Sequence, residues 1–585
     1  MSKRGAEFAL RTPFDSIGEL ICRQVRTAWR ERTTMTRFRL ALTIIVALIG
    51  TGIASAAMLA VPGDPVRTTS GLVAGTLVEP DVKAYLGIPY AQAPVGELRW
   101  RAPRPSRWAG VWNADRTGPE CIQVLRPHDI NHYFGEEPTG EDCLYMNIWA
   151  PAIAKPGDKR PVIVFIYGGG GTIGSSGMPN YGGANIAKRG AIFVNFNYRV
   201  GLLGFMAHPD LSAEQGGHSG DYGYLDQNAA LRWVRDNIAQ FGGDPNKVLL
   251  SGQSFGAGSV AAQYTSGLSK GLFRAALFSS ACALDDGGFS APVSLAEGEQ
   301  VGLEVQKRLR ATSLAAMRNV PADKILALQA ETQVGTNVQG LRARPVIDGY
   351  FWTGNKQQAF ASGNASDVPF IASSNADDLD SNMSPLTKAR TVAQYKAIAR
   401  QMYGKNADRF LKLYPVKRDV DVRAMSHRAA MESGFLKSGR TCARIQAKYN
   451  RSPAYIDLFS HRHPYAPGVR IADQDVGTVG AYHTADVPYW FDTLDKYNML
   501  RRTREPTSWD HKLTDIMAGA LIAMADTGSP STPDFHWPAY SERRPYYAVF
   551  GDEASSQRLN TSRMDWAERH PPKWIGAPEP VRPRD

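Results

Sequence analysis

The segment Lys247-Val-Leu-Leu-Ser-Gly-Gln-Ser254-Phe-Gly-Ala-Gly-Ser259-Val-Ala-Ala-Gln-Tyr264 constrains the fold more than any other stretch of the chain. An apolar run meets Gly252-Gln253-Ser254-Phe255-Gly256 and continues as small, helix-compatible residues, which reads as a strand, a sharp turn and a helix in that order. The two flanking glycines remove side chains that would hold strand and helix apart, so the turn lifts the Ser254 hydroxyl off the sheet. The helix that follows points its positive end at the same spot and favours negative charge developing there. The same pentapeptide pattern recurs at Gly267-Leu268-Ser269-Lys270-Gly271. There it follows Ala-Ala-Gln-Tyr-Thr-Ser, so it reads as the glycine C-cap of a helix.

The chain has 585 residues, 43% hydrophobic and 21% charged, the balance of a globular protein with a large core. Large α/β enzymes spend such length on loops and lids over one sheet, so one main domain is expected. A formal charge of +11 raises the question of a nucleic-acid partner. Nine Lys and Arg against four Asp and Glu precede residue 57, and no basic run follows, so the rest is a mildly basic, solubilising surface.

Met35-Thr-Arg-Phe-Arg39, the apolar residues 40–53 and Ala54-Ser55-Ala56 form a basic n-region, an h-region and a small-residue cleavage box. Residues 35–56 therefore read as a secretory signal peptide with a mature start near Ala57, and the protein as secreted or periplasmic. The apolar run is short for an uncleaved membrane anchor, so no stable membrane insertion is expected after cleavage. Residues 1–34 precede a second Met and read as an N-terminal extension, either a mis-called start or a short cytoplasmic segment. The main domain is placed at 57–568. The tail, 569–585, is rich in Pro and charge and reads as a loose end.

Of five cysteines, Cys22 falls before the cleavage box, leaving Cys121, Cys143, Cys282 and Cys442. An even count in an exported chain permits disulfides. Cys121 and Cys143 enclose a short polar segment and are the preferred pair, whereas Cys282 is either a free buried thiol or bridged to Cys442.

From residue 66 to 149, short β-like runs alternate with turn clusters, as in an antiparallel entry to a sheet. The rhythm then changes: residues 161–167, 191–197, 247–251 and 275–279 are continuous apolar strands, and helical stretches such as 226–240 intervene. Buried strands alternating with helices imply an α/β fold with a mostly parallel sheet.

After the first of these strands comes Gly168-Gly-Gly-Gly171-Thr-Ile-Gly174, which matches a dinucleotide-loop pattern from Gly169. No helical run opens at its third glycine, and the next strand ends in Asn195 and Asn197 rather than a ribose-binding acid. Such a loop instead exposes backbone N–H groups that can hold an oxyanion formed at Ser254.

A serine nucleophile needs a base, and the base an orienting acid. His483 lies in the turn-rich stretch Gly480-Ala-Tyr-His-Thr-Ala-Asp-Val-Pro-Tyr-Trp490, where a loop can carry it over the elbow. His461 and His463 are either metal ligands or, more simply, a strand end. Val368-Pro-Phe-Ile-Ala372 reads as a strand followed by the carboxylates Asp377, Asp378 and Asp380, either the acid of a triad or a Ca²⁺ or solvated loop. With Asp378, the order along the chain is Ser, Asp, His, that of the α/β-hydrolase triad.

Leu86-Gly-Ile-Pro-Tyr-Ala91, Leu98-Arg-Trp-Arg101, Glu141-Asp-Cys-Leu-Tyr-Met-Asn147, Asn197-Tyr-Arg-Val-Gly-Leu-Leu-Gly-Phe205, Gly223-Tyr-Leu-Asp-Gln227, Phe241-Gly-Gly-Asp-Pro245 and Gly480-Ala-Tyr-His483 together resemble the type-B carboxylesterases over residues 68–540. The resemblance implies an α/β-hydrolase fold with large insertions over the active site. It implies Ser254 as nucleophile, His483 as base and Asp378 as acid. Gly169, Gly170 and the N–H of Phe255 become the oxyanion donors, and Cys121–Cys143 a bridge. Three positions depart from the family pattern: its acid is usually Glu, Gly171 stands where an aromatic is common, and Phe255 stands where Ala is usual. Asp378 is one methylene short, which leaves Asp377 and Asp380 as alternatives. The expectation is an exported serine esterase acting on a small-molecule ester through an acyl-enzyme, with neither metal nor cofactor and no nucleic-acid partner. A lipase, thioesterase or amidase on the same residues is the alternative, and a non-catalytic esterase-like binding module the reading from another class.

Overall fold

The computed structural model describes residues 61–124, 138–280, 282–285, 291–331, 341, 343–472 and 474–572. The expected N-terminal extension, signal peptide and cleavage box lie outside the described residues, as does the tail beyond residue 572. The described residues form one compact unit.

An 11-stranded sheet runs through that unit. In chain order its strands are β1 (Thr76–Glu79), β2 (Val82–Pro89), β3 (Tyr145–Pro151), β4 (Arg160–Ile166), β5 (Ile192–Phe196), β6 (Gly243–Gln253), β7 (Ala275–Ser279), β8 (Phe370–Asn375), β9 (Ala454–Phe459), β10 (Tyr546–Phe550) and β11 (Ala554–Arg558). Their order across the sheet is β11-β10-β9-β8-β7-β6-β4-β5-β3-β2-β1. Strands β4 to β10 pair parallel, and the antiparallel strands are confined to the two edges. The apolar runs read from sequence are the buried middle strands: β5, β7, β8 and β9 are buried along their whole length, as a parallel sheet covered on both faces requires.

Strand order reverses at β4, which lies between β5 and β6. Chain segments leave this point in opposite directions and open a crevice at the carboxyl ends of the strands. The glycine loop after β4 and the serine turn after β6 both lie there.

Helix α1 (Tyr222–Asn237) buries most of its length, including Asp226, a carboxylate paired bidentately with the buried Arg199 guanidinium at 2.8 and 2.7 Å. Helix α2 (Phe255–Thr265) follows Ser254 directly and buries everything from Gly256 onward. It ends in an extended Ser266 followed by a single turn at Gly267–Ser269, so a left-handed glycine cap is not what stops it. Ser269 is fully buried there, donating to Gln263 Oε1 at 2.5 Å and accepting from Asn228 at 2.8 Å, so the second pentapeptide forms no elbow.

The expected pair Cys121–Cys143 is a disulfide, and Cys282, left open between a free thiol and a bridge, pairs with Cys442. Among the described residues, no helix is long and apolar enough to cross a membrane.

Candidate active site

Ser254 takes φ 59° and ψ −123°, a conformation costly for any residue with a Cβ. It is held there from both sides. Its N–H donates to Ser279 O of β7 at 2.8 Å, and its carbonyl accepts from Gly258 N at 3.1 Å in the first turn of α2. A side chain on Gly252 would strike the Gly256 backbone, and one on Gly256 would strike Ile166 O at the end of β4. The pentapeptide glycines are thus set by close approach of three backbones.

The glycine loop is pressed against this turn: a Cβ on Gly168 would lie 2.6 Å from Gln253 O and 2.8 Å from Ser254 Cβ. Gly169, Gly170 and Gly171 all have positive φ (103°, 65° and 72°), a backbone that glycine adopts without strain. Thr172 N and Ile173 N both donate to Gly169 O, at 3.1 and 3.2 Å, closing the turn. Gly201 N, two residues past the buried Arg199, donates to Gly171 O at 2.6 Å. Gln123 clamps the far end through both amide atoms, accepting from Gly174 N at 2.7 Å and donating to Gly174 O at 2.8 Å. Among the described residues, the N–H groups of Gly169, Gly170 and Phe255 donate to no protein acceptor.

Asp378 follows β8 by three residues and is fully buried. Its Oδ1 lies 2.5 Å from His483 Nδ1 and accepts Leu379 N at 2.7 Å, while Oδ2 accepts Asn375 N at 3.3 Å. The shorter acid therefore reaches the imidazole. Asp377 points elsewhere, to Ala481 N at 3.1 Å and to His427, and is not the solvated carboxylate its loop position suggests. Of Asp380 only the backbone, in the short helix Leu379–Met383, is described.

With Nδ1–H directed to Asp378, the Nε2 lone pair of His483 is available as an acceptor. Here it faces the Gln253 amide, Nε2 to Nε2 at 3.2 Å. The Ser254 hydroxyl makes no hydrogen bond among the described residues, so the structure joins acid to base but not base to serine.

The loop carrying His483 is fastened on both sides. His463, buried four residues past β9, donates from Nε2 to Ala485 O at 2.8 Å and accepts the Tyr482 hydroxyl at Nδ1 at 3.1 Å. Burial, reinforced by the Arg504 charge 3.2 Å away, pushes His463 well below the usual imidazole range, so it is neutral. Asp486 accepts from Ser279 Oγ at 2.6 Å, Asn375 Nδ2 at 3.1 Å and Trp490 Nε1 at 3.1 Å; burial raises its carboxyl above the ordinary range against the first two of these bonds.

His461 and His463 do not converge on a shared point. His461 Nε2 faces Asp510 Oδ1 at 3.0 Å, and although burial opposes it, that contact with bonds from Thr507 and Tyr489 holds the Asp510 carboxyl below the usual range. Among the described residues, no group of three or more His, Cys, Asp or Glu is arranged to hold a metal ion.

Sequence reasoning missed Gln123, Gln253, His427 and the role of His463. Only Gln253 carried a signal, its place beside Ser254; the others are brought in by loops whose packing has no local signature.

A strained serine between strand and helix, a glycine loop pressed against its turn and an imidazole held by Asp378 thus lie together on an α/β sheet. Residues 63–567 match the family model for the carboxylesterase family, and the chain belongs to that family. It is a carboxylic ester hydrolase. The chain is 35% identical to a fumonisin B1 esterase of Sphingopyxis macrogoltabida over 90% of this chain and 94% of that protein. It is 31% identical to a para-nitrobenzyl esterase of Bacillus subtilis, covering 82% and 92%. A solved PNB esterase overlays with a TM-score of 0.67 at 28% identity, covering 86% of this chain and 98% of its own.

Proposed function

We propose that the protein hydrolyses small-molecule carboxylic esters through an acyl-enzyme on Ser254, with His483 as general base and Asp378 as its orienting acid. The reading is supported above all by the 2.5 Å contact between Asp378 and His483 beside the elbow. His483 Nε2 gives up the Gln253 amide, takes the Ser254 proton as Oγ attacks the ester carbonyl, and returns it to the departing alcohol. The N–H groups of Gly169, Gly170 and Phe255 receive the oxyanion. Water, deprotonated by the same imidazole, then attacks the acyl-enzyme and releases the acid.

The relatives are named for fumonisin B1 and para-nitrobenzyl esters, and these two, with short- and long-chain esters, form the substrate panel. We also place the protein outside the cytoplasm, in line with its two disulfides. Ser254→Ala is expected to lower kcat by roughly a thousandfold or more with the fold retained. An organophosphate should label Ser254 stoichiometrically; labelling at Ser269 would refute the assignment.

A further inference from the structure

Asp377 and Asp378 are adjacent, yet their carboxylates act on different parts of one loop. Asp378 takes the imidazole of His483, while Asp377 takes the backbone leading to it. Asp377 N donates to Ala481 O at 3.0 Å, and Asp377 Oδ2 accepts Ala481 N at 3.1 Å, so one residue grips both backbone polar groups of the residue two positions before His483. The two segments also form a parallel bridge at Asp377 and Tyr482. A Cβ on Gly480 would overlap the Asp377 carboxylate, which shows how closely the loop is seated on it. The other oxygen, Oδ1, lies against Nδ1 of His427, on the helix Val422–Ser433. Both side chains are partly buried, at 22% exposure for Asp377 and 15% for His427.

We propose that Asp377, held by His427, is a positioning residue that fixes the loop bearing His483 so that its imidazole meets Asp378. The proposal rests on the reading of His483 as the catalytic base. The loop lacks regular secondary structure from residue 480 to 486; Ala481, Tyr482 and Ala485 are buried in the core, and polar contacts at its backbone set its register. Without the Asp377 carboxylate, Ala481 N–H loses its acceptor, His427 loses the carboxylate it lies against, and the ring of His483 gains freedom. A displacement of about 1 Å is enough to cost on the order of a hundredfold in rate.

Asp377→Ala should lower kcat about thirtyfold to a hundredfold while KM stays within about threefold. Asp377→Asn keeps an oxygen for Ala481 N–H and an amide for His427, and should recover to within about tenfold of the parent. In proton NMR, the downfield resonance of a His483 Nδ1–H bridged to Asp378 should be lost or broadened in Asp377→Ala and retained in Asp377→Asn. His427→Ala, which leaves the loop sequence untouched, should give an intermediate loss and serves if Asp377→Ala does not fold. Gly480→Ala should be far more damaging in the parent than in Asp377→Ala, because the overlap it creates is with the carboxylate itself. Parent-like kcat in both Asp377→Ala and His427→Ala overturns the proposal. So does a loss in Asp377→Ala that Asp377→Asn does not recover and that leaves the downfield resonance in place. A fully active Ser254→Ala would sink the underlying reading instead, so the two failures are distinguishable.

Discussion

Replacing Asp378 by Asn tests the acid with the least change of shape. In the buried carboxylate, Oδ1 serves His483 Nδ1 at 2.5 Å and Leu379 N at 2.7 Å, while Oδ2 serves Asn375 N at 3.3 Å. All three neighbours are donors, so the new amide NH₂ must oppose one of them. Facing Asn375 N opposes the longest and weakest contact, and the carboxamide oxygen then stays on the imidazole. The variant should therefore keep the fold and much of the ring's orientation, and lose the negative charge that stabilises the imidazolium as Ser254 is deprotonated. For charges about 4 Å apart at an effective dielectric near 20, that interaction is about 4 kcal/mol, or close to a thousandfold in rate. The expected kcat on a chromogenic ester at neutral pH is roughly a hundred to ten thousand times below the parent, with little change in melting temperature. Asp378→Glu adds about 1.5 Å of chain to a contact already closed, and should fall below the parent too. A kcat for Asp378→Asn within tenfold of the parent refutes the argument, and a crippled Asp380→Asn beside a mild Asp378→Asn would move the acid two residues on.

Protein recovered from the medium or periplasm should begin near Ala57, and amino-terminal sequencing that finds Met1 or Met35 would rule out the signal peptide. Because His463 is held neutral while its unfolded counterpart protonates near pH 6.5, stability should fall as pH drops below about 6.5. The fall should be smaller in His463→Gln, and identical pH dependence of melting in the two proteins would exclude this histidine as the cause. Phe255→Ala leaves its backbone N–H in place but removes a half-buried ring beside the oxyanion loop, so the long-chain to short-chain ratio of kcat/KM should shift at least threefold, and an unchanged ratio would show that the ring does not border the acyl group.

Much of the fold was legible because its middle strands are buried on both faces and so read as unbroken apolar runs, with boundaries off by a residue or two at residues 161–167 and 191–197. The β6 strand is longer than its apolar core, starting at Gly243, because its entry is polar and pairs only at a shifted register. The strand before the acid extends to Asn375, past the apolar residues that announced it, since Ser373 and Ser374 are buried with their hydroxyls on Asp457. Polar residues satisfied inside a sheet leave no hydrophobic period to read. Ser254 was legible for a local reason: the elbow needs its glycines wherever it occurs. Asp377 was misread because position in a carboxylate cluster says nothing about the histidine that a helix fifty residues downstream brings to it.

Two of the departures from the family pattern, read from sequence as separate, meet in the structure. A Cβ on Gly171 would lie 2.7 Å from the tip of the Phe255 ring, so the space beside the loop is already taken from the helix side. That ring is set by Phe205, edge-on at 5.5 Å, and Tyr224, stacked at 6.2 Å. An aromatic at residue 171 and one at residue 255 would exclude each other, because interiors packed at crystal density have no room for both. The glycine and the phenylalanine are thus one packing solution, in which α2 supplies the ring and the loop its backbone. The same φ of 72° that lets Gly171 turn the loop also disfavours any side chain there, so the arrangement suits both positions at once. Loop and turn are in this way coupled through residues 171 and 255 as well as at Gly168, and a change at either residue of the pair will be felt at the other.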